Sequence, residues 1–293
     1  MTPPRRPGHV SGEGSVVGDV VAGFRITRRL RVNGCTAIYQ ATPADRAIND
    51  RPGDTVILKT LCRGGPRRVH RRLDNETAVL RHLADTEVAP DVVSTGDTES
   101  QRFLAIDRRP GLTLRQVARS SDPATREFAT VALAVTAAVT RLHSAGVIHG
   151  DISRRNVLID GDRVTLIDFE GGGLIDGDVT PPRKITWAYA APELARPIRP
   201  TVFTDQYGTA AILYRQLTGR RHRPVVEGSA ADSTEALSIP PTPLTGWPAA
   251  TWPELTTVFA TALAVAPGDR FASMAQFEAA LAAALASPRS ADI

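Results

Sequence analysis

The stretch HGDISRRNVLIDGDRVTLIDFE, residues 149–170, constrains this chain more than any other. Two apolar runs, Val157-Leu158-Ile159 and Val164-Thr165-Leu166-Ile167, flank Asp160-Gly161-Asp162, a turn sequence. That pattern predicts a β-hairpin. Asp151 and Asn156 lie just before the first strand and Asp168 just after the second, so all three project from one end of it. A carboxylate, an amide oxygen and a second carboxylate converging there suit Mg²⁺, a hard cation that takes oxygen ligands and shares them with phosphates. A remaining carboxylate is then placed to accept a hydroxyl proton.

This layout resembles the catalytic loop and metal-binding aspartate of the protein kinases. The resemblance implies an α+β, two-lobed fold: a small β-rich N-lobe with one long helix, over residues 20–107, and a larger, mostly helical C-lobe, over residues 108–288. Residues 1–19, which include MTPPRRPGHVSGEG, read as a disordered lead-in, and residues 289–293 as a tail.

Composition is that of a globular protein, 42% hydrophobic and 23% charged over 293 residues. No apolar run reaches the ~18 residues needed to span a bilayer. The longest candidate, Phe128 to Val139, is too short and carries threonines. Cys35 and Cys62 are too few for a disulfide framework, so a reducing cytoplasm is expected. The net charge of +4 is carried almost wholly by arginine, since Lys59 and Lys184 are the only lysines, and it is scattered. Neither nucleic acid nor membrane is expected as a partner.

In the first lobe, Phe24 to Leu30 alternates apolar and polar residues and Thr36 to Ala41 forms a second run, predicting two strands. The turn between them, Arg31-Val32-Asn33-Gly34-Cys35, stands where kinases cover the phosphates with a glycine-rich loop. By spacing from Ile38, the three glycines of that pattern become Arg31, Asn33 and Thr36, and only Gly34 remains in the turn. An ordinary Asn-Gly hairpin turn is the other reading. Thr55 to Lys59 predicts a buried strand with a lysine at its end, either a surface lysine or the amine that holds the α- and β-phosphates. Ile57 replaces the small residue over the adenine and narrows that pocket. Val69 to Leu83 carries a helical apolar stripe, with Glu76 on it. Glu76 is either a solvated carboxylate or the partner of Lys59. Arg63, Arg67, Arg68, Arg71 and Arg72 read as a solvated face, or as a receptor for an acidic peptide. Arg102 to Asp107 predicts another strand, leading into a hinge at Arg108-Arg109-Pro110-Gly111.

In the second lobe, Asp122-Pro123 starts a helix that ends near Gly146. Asp168 to Glu193 has the length of an activation segment, ending in Ala191-Pro192-Glu193. By the resemblance, Thr186 contacts Asp151, Asp205 anchors the backbone of the catalytic loop, and Arg270 pairs with Glu193. The same resemblance assigns Asp151 as catalytic base, Asn156 and Asp168 to the metal, and Lys59 to the phosphates. Gly34, Ile38, Lys59, Glu76, Asp107 and Leu158 surround the nucleotide. Ser153 replaces a lysine that steadies the γ-phosphate, a charge assigned to Arg155 with Arg154 as the alternative. ATP and Mg²⁺ follow as cofactors, with a peptide or protein Ser/Thr hydroxyl as acceptor.

Three finer readings stay open. Val56-Ile57-Leu58-Lys59, Leu73-Asp74-Asn75-Glu76, Val88-Ala89-Pro90, Phe103-Leu104-Ala105, the HGD-x-S stretch with Asn156, and Leu166 to Glu170 resemble the kinase domains of lanthionine synthetases. They imply a stand-alone kinase for a precursor peptide, beside a separate lyase or cyclase. A bacterial Ser/Thr signalling kinase is the alternative, as is a pseudokinase scaffold, given the depleted glycine turn. Small-molecule kinases also carry H-G-D-x-x-x-x-N, but lack the counterparts of Glu193 and Arg270.

Overall fold

The computed structural model describes residues 15–45, 55–120, 125–177, 185–223, 237, 239–286 and 288. The expected lead-in up to residue 14, the tail at 289–293 and the helix start at Asp122-Pro123 lie outside them. The chain divides into two compact units, residues 1–73 with 92–108, and residues 74–91 with 109–293.

The first unit is an antiparallel sheet. Its strands are β1 (Val20–Val21), β2 (Phe24–Asn33), β3 (Thr36–Pro43), β4 (Val56–Cys62), β5 (Val92–Asp97) and β6 (Gln101–Asp107), in the spatial order β1-β2-β3-β4-β6-β5. Alternation sorts the side chains onto two faces. One face packs Phe24, Ile26, Ala37, Tyr39, Ala41, Val56, Leu58, Phe103 and Ala105 into the core of this unit. β2 and β3 run further than their apolar patterns foretold. Pairing continues to Asn33↔Thr36, so Gly34 and Cys35 alone make the turn. Gly34 has a φ of +59°, which suits the first central residue of a tight two-residue turn. The turn is therefore a two-residue one over Gly34-Cys35, one residue beyond the Asn-Gly turn of the plainer reading, and the wider loop over residues 31–35 is corrected to it.

Helix α1 (Arg67–His82) begins in the first unit and continues into the second. Arg63, Arg67, Arg68 and Arg71 are exposed along its start, the solvated face that one reading foresaw.

The second unit is mostly helical. It holds α2 (Leu114–Ser120), α3 (Thr125–Ser144), α4 (Val202–Thr218) and helices over Trp247–Thr251, Glu254–Ala262 and Met274–Ala286. Helix α3 places Ala132, Val135, Ala138, Val139 and Leu142 fully inside. That accounts for the long apolar run as core, and no helix among the described residues is long and apolar enough to cross a membrane. Helix α4 opens with a capping box between Thr201 and Thr204 and closes on Gly219, whose φ of +70° is the left-handed cap. It is buried continuously from Thr204 to Tyr214, as a helix surrounded by core must be.

The predicted hairpin is present. β9 (Val157–Asp160) pairs with β10 (Arg163–Leu166) in the register Asp160↔Arg163 to Val157↔Leu166, so the turn is Gly161-Asp162. The strand β7 (Leu112–Thr113) adds to β9. A second small ribbon joins β8 (Val147–Ile148) to β11 (Gly173–Leu174) and ties down both ends of the motif.

Candidate active site

The loop between β8 and β9 holds Asp151 and Asn156, and its shape is set from below by one carboxylate. Asp205, in the first turn of α4 and 1% exposed, accepts the backbone N–H of His149 at 2.7 Å and of Gly150 at 2.8 Å. It also lies 3.0 Å from Nε2 of His143. Asp205 thus anchors the loop backbone as expected. The buried His149 ring locks the next step. Its Nδ1 accepts the N–H of Asp151 at 3.3 Å, which leaves Nε2 to donate to the carbonyl of Ile167 at 3.0 Å. Burial drives the His149 pKa down and keeps this ring neutral. Phe169 packs on it at 4.7 Å between ring centroids.

Gly150 sits at a φ of +77°, and a Cβ there would stand 2.5 Å from the carbonyl oxygen of Gly171. Only glycine fits without moving the backbone. The neighbouring Asp151 receives hydrogen bonds from both the side chain and the backbone of Thr186. The Nδ2 of Asn156 donates to the Asp151 carbonyl at 3.0 Å and reaches its Oδ2 at 3.4 Å. The amide oxygen of Asn156 takes part in neither contact. Burial raises the Asp151 pKa to about 7, and the charge of Asp168 adds to the rise against the lowering effect of Thr186 and Asn156.

Asp168 follows β10 with a φ of +69°, uncommon for a residue with a side chain. The hairpin mouth is closed beside it by the Ile167 N–H on the Asn156 carbonyl at 2.9 Å. Glu76, Asp168 and Glu170 each present a carboxylate oxygen, and the three lie within 4.8 Å of one another. Glu76 is completely buried, so it is not the solvated helix carboxylate of the plainer reading. Glu170 was not anticipated as a site residue. The only trace in the sequence is a second acidic residue two positions after Asp168.

Beside Asp151 and Thr186 opens a small recess walled by Ile152, Ile185, Tyr189, Ala191 and Leu194. Its far wall is held by Glu193, whose carboxylate meets Arg270 at 3.0 and 2.8 Å. The same guanidinium donates to the carbonyls of Ala264, Phe203 and Val265 and lies 4.8 Å from the Tyr207 ring centroid.

The remaining predicted residues are placed as follows. Lys59 lies in the middle of β4, not at its end, and is 6% exposed, which overturns the surface-lysine reading. Ile38 is its direct partner across β3. Asp107 ends β6, and the N–H of the following Arg108 is committed to the Thr55 carbonyl at 3.1 Å. Leu158 is half-buried in β9. Arg155 is exposed, and Arg154 and Ser153 lie deeper on the same loop.

Known proteins share this sequence pattern and this fold. The family described as Protein kinase domain matches residues 43–279. The serine/threonine-protein kinase PknJ of Mycobacterium tuberculosis is 30% identical over 283 residues, 92% of this chain and 46% of that protein. The probable serine/threonine-protein kinase PknB of Lactococcus lactis is 26% identical over 202 residues, 67% of this chain and 32% of its own length. This chain spans less than half the length of these curated relatives. The solved structure of the Cydia pomonella granulovirus kinase PK-1 has the same fold, with a TM-score of 0.68 and 13% identity, covering 87% of this chain and 92% of that one. With a family match over most of its length and a solved kinase sharing its fold, this chain belongs to the protein kinase domain family.

Proposed function

We propose that this domain transfers the γ-phosphoryl group of ATP to a Ser or Thr hydroxyl of a peptide or protein. The observation that carries the reading is Asp151. Its carboxylate is fixed by Thr186 and Asn156, lies beside a recess, and has a pKa near 7. A base of that strength is matched to neutral pH.

Asp151 orients the acceptor hydroxyl and takes its proton as the phosphoryl group arrives. The apolar walls of the recess favour an acceptor whose neighbouring residue is uncharged and apolar. Lys59 grips the α- and β-phosphates, and Arg155 is the candidate for charge near the γ-phosphate. The oxygen-only donor set fits Mg²⁺: Asp168 and the amide oxygen of Asn156 are the residues that would hold it, and the carboxylates of Glu170 and Glu76 lie beside Asp168. Mg²⁺, when bound, neutralises phosphate charge. The positions of the side chains and their charges carry the rest of the catalysis.

Two acceptors are supported by different observations. The bacterial Ser/Thr kinases among the relatives favour a protein acceptor in signalling. The motifs shared with lanthionine synthetase kinases favour a precursor peptide, phosphorylated before elimination by a separate lyase. Incubation with Mg-ATP and either a precursor peptide or a generic Ser/Thr substrate, read by mass spectrometry, separates them. Phosphate on the precursor alone supports the second acceptor. Phosphate on neither, with no thermal shift by Mg-ATP, points to the scaffold reading.

A further inference from the structure

The hairpin of β2 and β3 lacks the glycines that would let backbone amides approach a polyphosphate, and it is paired to its tip at Asn33↔Thr36. A binder of nucleotide phosphates then needs another source of positive groups on that surface. The register of the sheet supplies one. Arg31 stands directly opposite Ile38 on β3, and Ile38 stands directly opposite Lys59 on β4. Residues directly opposite in an antiparallel sheet share a face. Arg31, Ile38 and Lys59 therefore form one cross-strand row, on the face away from the Tyr39 and Leu58 core.

Two register shifts in β2 produce this placement, one between Ile26 and Arg28 and one between Arg29 and Arg31. They bring Arg25, Arg28 and Arg31 onto the Lys59 face at intervals of three, and turn Arg29 to the opposite face, across from Tyr39. A bulge re-aims the side chains that follow it. Arg25 already donates to the Gly18 carbonyl at 3.1 Å. Arg31, exposed at the end of the row, is the arginine level with Lys59. Two strand spacings separate their backbones by about 10 Å, a gap that a long guanidinium and a long ammonium side chain close around a polyphosphate.

We infer that Arg31 is a phosphate-binding residue of this domain, its guanidinium replacing the amides of the missing glycine loop on the nucleoside triphosphate. This rests on the ATP reading above and adds to it the residue that makes a glycine-poor hairpin competent.

The test is calorimetric titration of the full chain and its Arg31→Gln and Arg29→Gln variants with ATP and with adenosine. Arg31→Gln is expected to weaken ATP by about tenfold or more, as loss of a charge-assisted guanidinium–phosphate contact does. Adenosine affinity is unchanged in that variant, and Arg29→Gln binds both as the parent does. An Arg31→Gln variant that binds ATP within about twofold of the parent overturns the inference and leaves the ATP reading standing. An equal loss of ATP and adenosine also overturns it, since phosphate would not be what Arg31 recognises. A parent chain that binds neither ligand overturns both.

Discussion

Glu193 and Arg270, 77 residues apart in sequence, meet through two parallel N–H···O bonds of 3.0 and 2.8 Å, with the arginine side chain fully buried. Three further carbonyls take up the same guanidinium. The pair pins the end of the segment that carries Thr186 to the helical body of the second unit. Arg270→Ala leaves a buried, unpaired carboxylate, and we expect a loss of about 3–5 kcal/mol in urea unfolding. A loss below about 1 kcal/mol would show that the pair does not hold this segment.

Gly150 excludes a side chain through both its φ of +77° and the 2.5 Å approach of the Gly171 carbonyl to a Cβ. Protein kinases with arginine at this position use it to bind a phosphorylated activation segment. Without that arginine, activity here should not depend on such phosphorylation. Phosphatase-treated protein should keep its turnover within about twofold, while Thr186→Val, which removes a hydrogen bond to Asp151, lowers kcat. Strict dependence on phosphorylation of a residue between Asp168 and Glu193 contradicts this.

Asp151 is held against its own ionisation. Its pKa of about 7 lies well above the 3.8 of a free aspartate, so the folded state binds this proton more tightly than the unfolded state does. The sign follows: stability falls as pH rises from about 4 to 7, and the full penalty is present above 7. Asp151→Asn should therefore raise stability at pH 8 in metal-free buffer, by about 2–4 kcal/mol, and have little effect at pH 4. Equal effects at both pH values would remove the account of a strained base.

His222 works in the other direction. Burial, with the charges of Arg223 and Arg221, holds its pKa at about 3, and Tyr207 Oη lies 2.9 Å from Nε2. The unfolded state takes up this proton near 6.5, so stability is complete above that pH and is lost as pH falls from 6.5 towards 3. His149, also shifted down by burial, adds to the same acid limb. His222→Phe should flatten the limb by about one proton, or about 1.4 kcal/mol per pH unit. An unchanged slope would mean that this ring is not the acid-sensitive group.

What the sequence disclosed, and what it hid, follows from the range of each signal. The β9–β10 hairpin was legible because its apolar runs and Asp-Gly turn are local. The apolar pattern weakens after Lys59 and so marks a strand end there, yet Thr60, Leu61 and Cys62 continue the pairing with β6. The course of β2 was hidden, since Arg28-Arg29-Leu30-Arg31 has no apolar period and takes its faces from β3. The meeting of Glu193 with Arg270 has no local signal at that separation and was reached only through resemblance. The carboxylate of Glu170 beside Asp168 and Glu76 became visible only once the helix and the hairpin were in place.

The account stands on Asp151 as the base for phosphoryl transfer, and one comparison tests it most directly. Turnover of the parent chain and of Asp151→Asn is measured with Mg-ATP and a Ser/Thr peptide, alongside ATP affinity for both. The account predicts transfer by the parent, and a fall of about 10²- to 10⁴-fold in the variant with ATP affinity retained. A variant that turns over as fast as the parent would contradict it, as would a parent that binds ATP and transfers nothing to any hydroxyl.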